Sequence, residues 1–185
     1  MTQREKAIET IRNYILALEE ENYTKFAINT YCESEDLKKL CFDSLILAIQ
    51  LNKQLKGKYG PLAIEDFNLY KKHGYIGISD LPVKFDYDKL EDLKFRKFNG
   101  KIGIFDPQTR TFFIFKKQGD RLIVNLQEGV VDITKYSNFI KESIQFMNHV
   151  LINVNVGKSE GKTIKEFAKD YTYGEHTKGA VIKVW

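Results

Sequence analysis

The sequence is poor in the residues that carry metal, disulfide and nucleophile chemistry. Its 185 residues include two cysteines and three histidines. Cys32 and Cys41 lack the Cys-x-x-Cys spacing of a metal or redox pair and have no histidine near them, so we interpret them as reduced thiols. His73, His149 and His176 lie far apart, and none belongs to a metal-ligand or nucleophile signature. We therefore expect no metal and no cofactor.

Long apolar runs are absent as well. A helix that crosses a bilayer needs about 20 consecutive apolar residues, and the sequence has no such stretch. The chain opens with Met-Thr-Gln-Arg-Glu-Lys and passes directly into an amphipathic helical pattern, which is not that of a secretion signal. Together with the reduced thiols, this pattern favours a cytoplasmic protein without a membrane partner.

No charge of one sign dominates. The 29 lysines and arginines nearly balance the 25 aspartates and glutamates, which gives a formal net charge of +4. Dedicated nucleic-acid domains usually concentrate positive charge more strongly, so this balance permits polyanion binding without demanding it. With 43% hydrophobic and 29% charged residues, the composition is that of a globular protein. We expect one domain at residues 1–152, with a C-terminal extension of residues 153–185 packed on it.

The most informative stretch contains two turn signals. Asp106-Pro107-Gln108-Thr109 places proline at the second position of a turn, and Lys117-Gln118-Gly119-Asp120 supplies the glycine that a hairpin needs. Around these turns lie short runs rich in β-branched and aromatic residues, which favour strands. We therefore predict a three-stranded antiparallel meander over residues 101–126. Its predicted strands are Lys101–Phe105, Thr111–Lys117 and Arg121–Leu126.

The middle run of this meander is apolar on both faces. Phe112 and Ile114 alternate with Phe113 and Phe115, so the second face needs cover from another element or from a partner. Exposed aromatic faces are the exception on soluble proteins. We therefore expect a helix to cover this face, and we keep a partner as the alternative.

Capping residues followed by helical periodicity mark the elements around the meander. The predicted elements are a helix from Thr2 to Glu20, a helix from Ser34 to Gly57, a helix from Asp132 to Leu151, a short helix after Thr163 and a closing strand at Ala180–Trp185. The predicted fold class is therefore α+β. An antiparallel β-sheet packs against three main helices, with a short C-terminal helix and strand.

Other segments are less regular. Weak alternation favours a strand in residues 23–31, and Asp88 is suited to cap a short helix that reaches Asn99-Gly100. Four short apolar runs, separated by polar turns, are predicted as strands. These runs are Leu62–Ile64, Phe67–Tyr70, Tyr75–Ile78 and Val83–Tyr87.

One basic and aromatic segment is a candidate binding site. Two phenylalanines are interleaved with four cations: Lys94, Phe95, Arg96, Lys97, Phe98 and Lys101. Charge beside stacking surfaces is the combination that single-stranded nucleic acid requires. No RNA-recognition sheet motif accompanies it, so a solvated helix face with the aromatic residues in the core is the simpler interpretation.

Two loops near the C-terminus are further candidates. Gly157–Thr163 is one residue too short between its glycines to form a phosphate-binding loop, in which a fixed number of backbone N–H groups wraps the phosphates. We interpret it as a solvated loop followed by a capping box. Glu175-His176, with Lys178, would suit acid–base chemistry if this loop folded over a cleft. A small enzyme with a site near His176 is therefore a further alternative.

The order of elements resembles a known family. A helix ends in Leu55-Lys-Gly-Lys-Tyr-Gly60, Pro61-Leu-Ala-Ile-Glu-Asp-Phe67-Asn-Leu-Tyr70 and hairpins follow, and Asp132-Ile-Thr-Lys-Tyr-Ser-Asn-Phe-Ile140 opens a helix. Over residues 35–150 this order is similar to that of the SMI1/KNR4 (SUKH) superfamily, in which a helix leads into a Tyr-Gly segment and an antiparallel sheet. The resemblance implies an immunity-like protein, since many members are bacterial proteins that bind and block a cognate toxin and are not enzymes.

We therefore expect a small cytosolic binding protein that neutralises a protein partner. The partner would be a toxin, or a host or defence protein if the chain is a phage or mobile-element inhibitor. Its contact surface would be the sheet edge or the basic and aromatic segment, with these residues: Lys94, Arg96, Lys97, Phe113 and Phe115. A nucleic-acid-binding accessory protein, using the same cations and the basic C-terminal third, is the alternative.

Overall fold

The computed structural model describes residues 1–71, 76–128 and 135–171. The fold class is α+β, as predicted, with two small and mostly antiparallel sheets packed against helices. The helices are α1 (Gln3–Glu19), α2 (Tyr23–Ile28), α3 (Glu35–Tyr59), α4 (Ala63–Tyr70), a 3₁₀ helix (Tyr87–Asp92), α5 (Ser137–Asn155) and α6 (Ile164–Lys169). The strands are β1 (Thr30–Tyr31), β2 (Phe95–Phe98), β3 (Lys101–Asp106), β4 (Thr111–Phe113), β5 (Phe115–Gln118) and β6 (Arg121–Asn125).

The chain divides into two compact units. The first comprises Met1–Asp43 and Lys84–Ser137, and the second comprises Ser44–Val83 and Asn138–Trp185. Both sheets belong to the first unit, α4 and α6 belong to the second, and α3 contributes residues to each. The expected organisation, one domain with an extension after residue 152, stays a prediction.

The predicted meander is present but is divided between two sheets. The strand order is β2-β3-β4 in one sheet and β1-β6-β5 in the other. Phe113 pairs with Ile104 in the first sheet, whereas Phe115 pairs with Val124 in the second. Ile114 lies between β4 and β5. The single strand predicted at residues 111–117 is therefore two strands, because the chain changes its pairing partner at Ile114.

Helix α1 covers the inner side of this strand pair. Phe113 is 1% exposed, and its ring meets the Tyr14 ring edge-on with the centroids 5.0 Å apart. Thr10, one turn earlier in α1, donates a hydrogen bond to the Leu122 carbonyl of β6 at 2.5 Å. The expectation that a helix covers Phe113 is confirmed.

The strand predicted at residues 23–31 is wrong for most of its length. The Asn22 side chain accepts a hydrogen bond from the Lys25 N–H at 3.0 Å and caps α2, in which Phe26 is fully buried. Only Thr30–Tyr31 is extended, and it pairs in parallel with β6. A local cap and one buried aromatic ring outweigh a weak alternation of apolar residues.

The strands predicted at Leu62–Ile64 and Phe67–Tyr70 are also wrong, because these residues form α4 and, at Leu62, its N-cap. Ile64 and Phe67 are fully buried and stand three residues apart, so they lie on one face of the helix. Short apolar runs fit a strand and a buried helix equally well.

Residues 76–86 contain no strand, although the apolar runs predict two there. Asparagine side chains take the place of a strand partner. Asn68 donates to the Ile78 carbonyl at 2.7 Å, and its amide oxygen accepts from the Ile78 N–H at 2.9 Å. Asn52 accepts from the Leu81 N–H at 3.0 Å in the same way. The backbone groups of Ile78 and the Leu81 N–H are therefore satisfied without a sheet.

An aromatic cluster forms the core of the second unit. The Tyr171 ring lies 5.5 Å from Phe67 of α4, 6.0 Å from Phe146 of α5 and 5.3 Å from Phe167 of α6, measured between centroids. Its hydroxyl accepts a hydrogen bond from Asn153 at 2.8 Å. Tyr171, which follows α6, therefore packs against α4, α5 and α6.

The capping predictions for Thr2, Ser34 and Thr163 are confirmed. Thr2 and Thr163 both accept a hydrogen bond from the N–H three residues later, at 3.1 Å, and Ser34 does the same at the start of α3. The predicted Asp88 cap is wrong, because the Asp86 side chain accepts a hydrogen bond from the Asp88 N–H at 3.0 Å and caps the 3₁₀ helix. Four predictions lie outside the described residues. They concern the Asp132 cap, His73, the Glu175-His176 loop and the closing strand Ala180–Trp185.

Candidate functional site

The basic and aromatic segment forms one strand of a β-hairpin. The helix predicted from Asp88 is a short 3₁₀ helix that ends at Asp92, and β2 begins at Phe95. β2 pairs antiparallel with β3, with Phe98 opposite Lys101. The interpretation of this segment as a helix face is therefore wrong, because pairing with β3 decides its conformation.

The hairpin turns through two residues, Asn99 and Gly100. Both have positive φ, at 49° and 78°. This is the conformation of the type I′ turn, which Asn-Gly adopts readily because both positions need the left-handed region. Asn-Gly between apolar residues is also the signal from which the sequence could have predicted the hairpin.

We refer to the exposed residues around this turn as the hairpin surface. It comprises Lys94, Phe95, Arg96, Lys97, Phe98, Lys101 and Ile102. A strand that lies flat against a core buries every second residue. Here all four residues of β2 and the first two residues of β3 are exposed, including Phe95 (38%), Phe98 (50%) and Ile102 (65%). The hairpin therefore projects from the core of the first unit.

The register distributes these side chains over both faces of the hairpin. Residues directly opposite each other in an antiparallel pair share a face, and neighbours along a strand alternate. One face carries Phe95, Lys97 and Ile102, and the other carries Arg96, Phe98 and Lys101. Each face therefore combines exposed apolar surface with a cation.

Both phenylalanine rings contact aromatic rings outside the hairpin. The Phe95 ring meets the Phe115 ring edge-on at 6.3 Å, and the Phe98 ring lies 5.7 Å from the Phe112 ring. Gly103 gives the strands room for this packing. A Cβ at that position would overlap the β4 backbone and lie 3.0 Å from the Phe112 ring. The contacts with Phe115 and Phe112 thus hold the two exposed rings in place.

The structure brings three of the five predicted contact residues together. Lys94, Arg96 and Lys97 all belong to the hairpin surface. Phe113 lies in the core beneath α1, so it is not available to a partner. Phe115 is half-buried and stacks on Phe113 at 6.5 Å, which makes it a support for β2.

The prediction missed Ile102, the most exposed apolar side chain of the hairpin surface. In the sequence, Ile102 and Ile104 occupy equivalent alternate positions of one strand. Ile104 is fully buried. The two residues differ in exposure because Ile102 lies farther from the core than Ile104. The local sequence does not indicate this difference.

The hairpin surface is positively charged. Residues 94–102 include four cations and no aspartate or glutamate. Lys101 donates to the Glu128 carbonyl at 3.2 Å. Within the described ranges, Lys94, Arg96 and Lys97 form no ion pair. Their charge is available to an external anion.

The Gly157–Thr163 loop uses its polar groups internally. The Lys162 ammonium lies 2.7 Å from the Asp170 carboxylate, and the Tyr59 hydroxyl donates to the carbonyl of the fully buried Ser159 at 3.1 Å. Thr163 caps α6. These contacts agree with a loop and a capping box, and they leave no open cradle of the phosphate-binding kind.

Outside the hairpin surface, Cys32 is buried, and Cys41 and His149 are half-buried. Burial, and secondarily Lys158, lower the pKa of His149 below its ordinary value of 6.5. Cys32 and Cys41 are not joined in a disulfide, and burial raises the pKa of Cys41 to about 12, with Cys32 adding to the effect. The described residues hold no group of three or more histidine, cysteine, aspartate or glutamate side chains placed to bind a metal ion.

Comparisons with protein-family models, with curated proteins and with solved structures find no match to this chain. In the described ranges, no helix combines the length and the apolar character needed to cross a membrane. Function must therefore be inferred from the geometry of the hairpin surface.

Proposed function

We propose that this protein is a small cytosolic binding protein that neutralises a protein partner, in the manner of a toxin-immunity protein or a phage or mobile-element inhibitor. The hairpin surface is its contact region. The observation that carries the proposal is the exposure of Phe95, Phe98 and Ile102 on one projecting hairpin. Single exposed apolar residues are normal on proteins, but three of them around one turn support the proposal of an interaction surface.

The exposed apolar surface is large enough to matter for affinity. Full burial of a phenylalanine or isoleucine side chain is worth about 1.5–3 kcal/mol. Since between 38% and 65% of each residue is exposed, a partner that covers it gains about 1 kcal/mol per residue. The three side chains together then contribute about 3 kcal/mol, or roughly 100-fold in affinity.

Co-purification from the native host tests this proposal. The wild-type protein should retain a stoichiometric protein partner, and the double variant Phe98→Ala, Ile102→Ala should lose it. Leu69→Ala is the matched control, because Leu69 is 66% exposed on α4 and lies outside the hairpin surface. A wild-type protein that retains no partner, or a double variant that binds as well as the control, would overturn the proposal.

Membership of the SMI1/KNR4 superfamily is part of the same proposal. It is supported by the order of elements, with α3 ending at Tyr59-Gly60, the sheets after it and α5 starting at Ser137. A toxin or nuclease gene beside this one would favour an immunity role.

A nucleic-acid-binding accessory protein is the second candidate. It is favoured by Lys94, Arg96 and Lys97, whose charges have no partner among the described residues, next to two exposed rings. Phosphate contacts release counterions, so binding would weaken steeply with salt. Retention on heparin at low salt that is lost when the three cations become alanine would favour this candidate, and no retention would exclude it.

A further inference from the structure

The two faces of the hairpin surface present the same chemistry in opposite directions. Phe95 and Ile102 stand beside Lys97 on one face, and Phe98 stands beside Arg96 and Lys101 on the other. A flat partner surface would cover one face and leave the apolar side chains of the other in water. Only a partner that surrounds the hairpin buries both sets.

We infer that the hairpin inserts into a cleft of its protein partner, with apolar walls against the rings and Ile102 and with carboxylates at the rim against the cations. This inference rests on the proposed function of protein binding, and it specifies the chemistry of the partner. An inserted hairpin blocks the cleft that it occupies, which is a direct way to neutralise an enzyme.

Charge identifies the partner as acidic and not as a second copy of this chain. β2 is an edge strand, so pairing with another β2 is geometrically open to it. Such a pair would bring Arg96 and Lys97 of both copies together, and like charges placed opposite each other in a sheet repel. An acidic cleft would instead pair these cations with carboxylates as the apolar residues become buried.

The arrangement of the rings favours a protein over single-stranded nucleic acid. A single strand stacks successive bases on aromatic rings along one basic groove. Phe95 and Phe98 lie on opposite faces of the hairpin, so they cannot form one such platform. Ile102, the most exposed member, offers no aromatic face for a base.

The hairpin is also ordered before it binds. Asn99 and Gly100 fix a two-residue turn, and Phe115 and Phe112 support the two exposed rings. A preorganised element loses little conformational freedom on insertion, so more of the contact energy appears as affinity.

Photo-crosslinking tests insertion directly. Photoreactive benzoylphenylalanine is placed at Phe95 or at Phe98 in the full chain, and at Leu69 as the control position. The modified proteins are irradiated in cells of the native host. Insertion requires that both hairpin positions crosslink to the same protein and that Leu69 does not. Crosslinks from one face only, or adducts that nuclease removes, would overturn the inference.

Charge reversal tests the acidic rim with the partner captured by the wild-type protein. Arg96→Glu and Lys97→Glu should each weaken binding at least about tenfold at low salt, since each brings a like charge to the rim. Lys53→Glu on the exposed side of α3 is the matched control and should change affinity less than about twofold. If the wild-type protein captures a partner and the reversals match the control, the acidic cleft is wrong while protein binding stands. If the wild-type protein captures none, both proposals fail.

Discussion

The Asn52 side chain should contribute strongly to the stability of the second unit. Asn52 is fully buried in α3. Its amide nitrogen donates to the Ser79 carbonyl and to the Ala48 carbonyl, both at 2.7 Å, and its oxygen accepts from the Leu81 N–H at 3.0 Å. Asn52→Ala removes these bonds and leaves the Leu81 N–H buried without its acceptor.

The expected loss follows from hydrogen-bond energetics. The two bonds to residues 79 and 81 contribute about 1 kcal/mol each, and a buried donor left unpaired costs a further 1–3 kcal/mol or so. Alanine has a higher helix propensity than asparagine, which offsets about 0.6 kcal/mol of this loss in stability. The free energy of unfolding should therefore fall by about 2–4 kcal/mol.

Urea denaturation measures this loss, and amide hydrogen exchange locates it. Leu81 should lose protection in Asn52→Ala, because its N–H no longer has an acceptor. Gln54→Ala is the matched control, since Gln54 is exposed on the same helix two residues later. A loss below about 0.5 kcal/mol in Asn52→Ala, the range of an ordinary surface substitution, would refute the reasoning.

Two further predictions concern titration and glycine. Because burial and Lys158 lower the pKa of His149 in the folded protein, the unfolded chain binds its proton first as the pH falls. The contribution of neutral His149 to the free energy of unfolding should therefore be fully present above pH 6.5 and decline below it. His149→Gln should flatten this decline in unfolding curves taken from about pH 7.5 to about pH 5. Gly100→Ala should lower the melting temperature, because φ is 78° there, whereas Gly57→Ala, in α3 with open space around it, should raise the melting temperature or leave it unchanged. A stability that stays constant below pH 6.5, or a Gly100→Ala variant as stable as Gly57→Ala, would contradict these predictions.

Predictions from local sequence succeeded where a few neighbouring residues decide the structure. The Thr2 and Thr163 caps are correct because a cap joins residues three positions apart. Helix α3 was correctly predicted from its cap and its long apolar stripe. The turns at Gln108 and Gly119 were correctly placed, since proline fixes φ and glycine accepts the positive φ that a turn requires.

The errors fall where a distant residue decides. Ile78 needs no strand partner, because Asn68 supplies both of its hydrogen bonds from another element. The strand at residues 111–117 changes sheets at Ile114, since one part pairs with β3 and the other with β6. The alternation of apolar residues along a strand does not indicate which other strand pairs with it.

The features of the candidate site also divide into those that the local sequence determines and those that distant residues determine. The sequence by itself determined the α+β class, the capped helices and the presence of cations beside aromatic residues at 94–101. Tertiary structure alone decided that this segment is a projecting hairpin, that Phe113 is core and that Ile102 is surface. The physical reason is that side-chain exposure depends on what packs above each face, and that is set by pairing and packing between residues far apart in the chain.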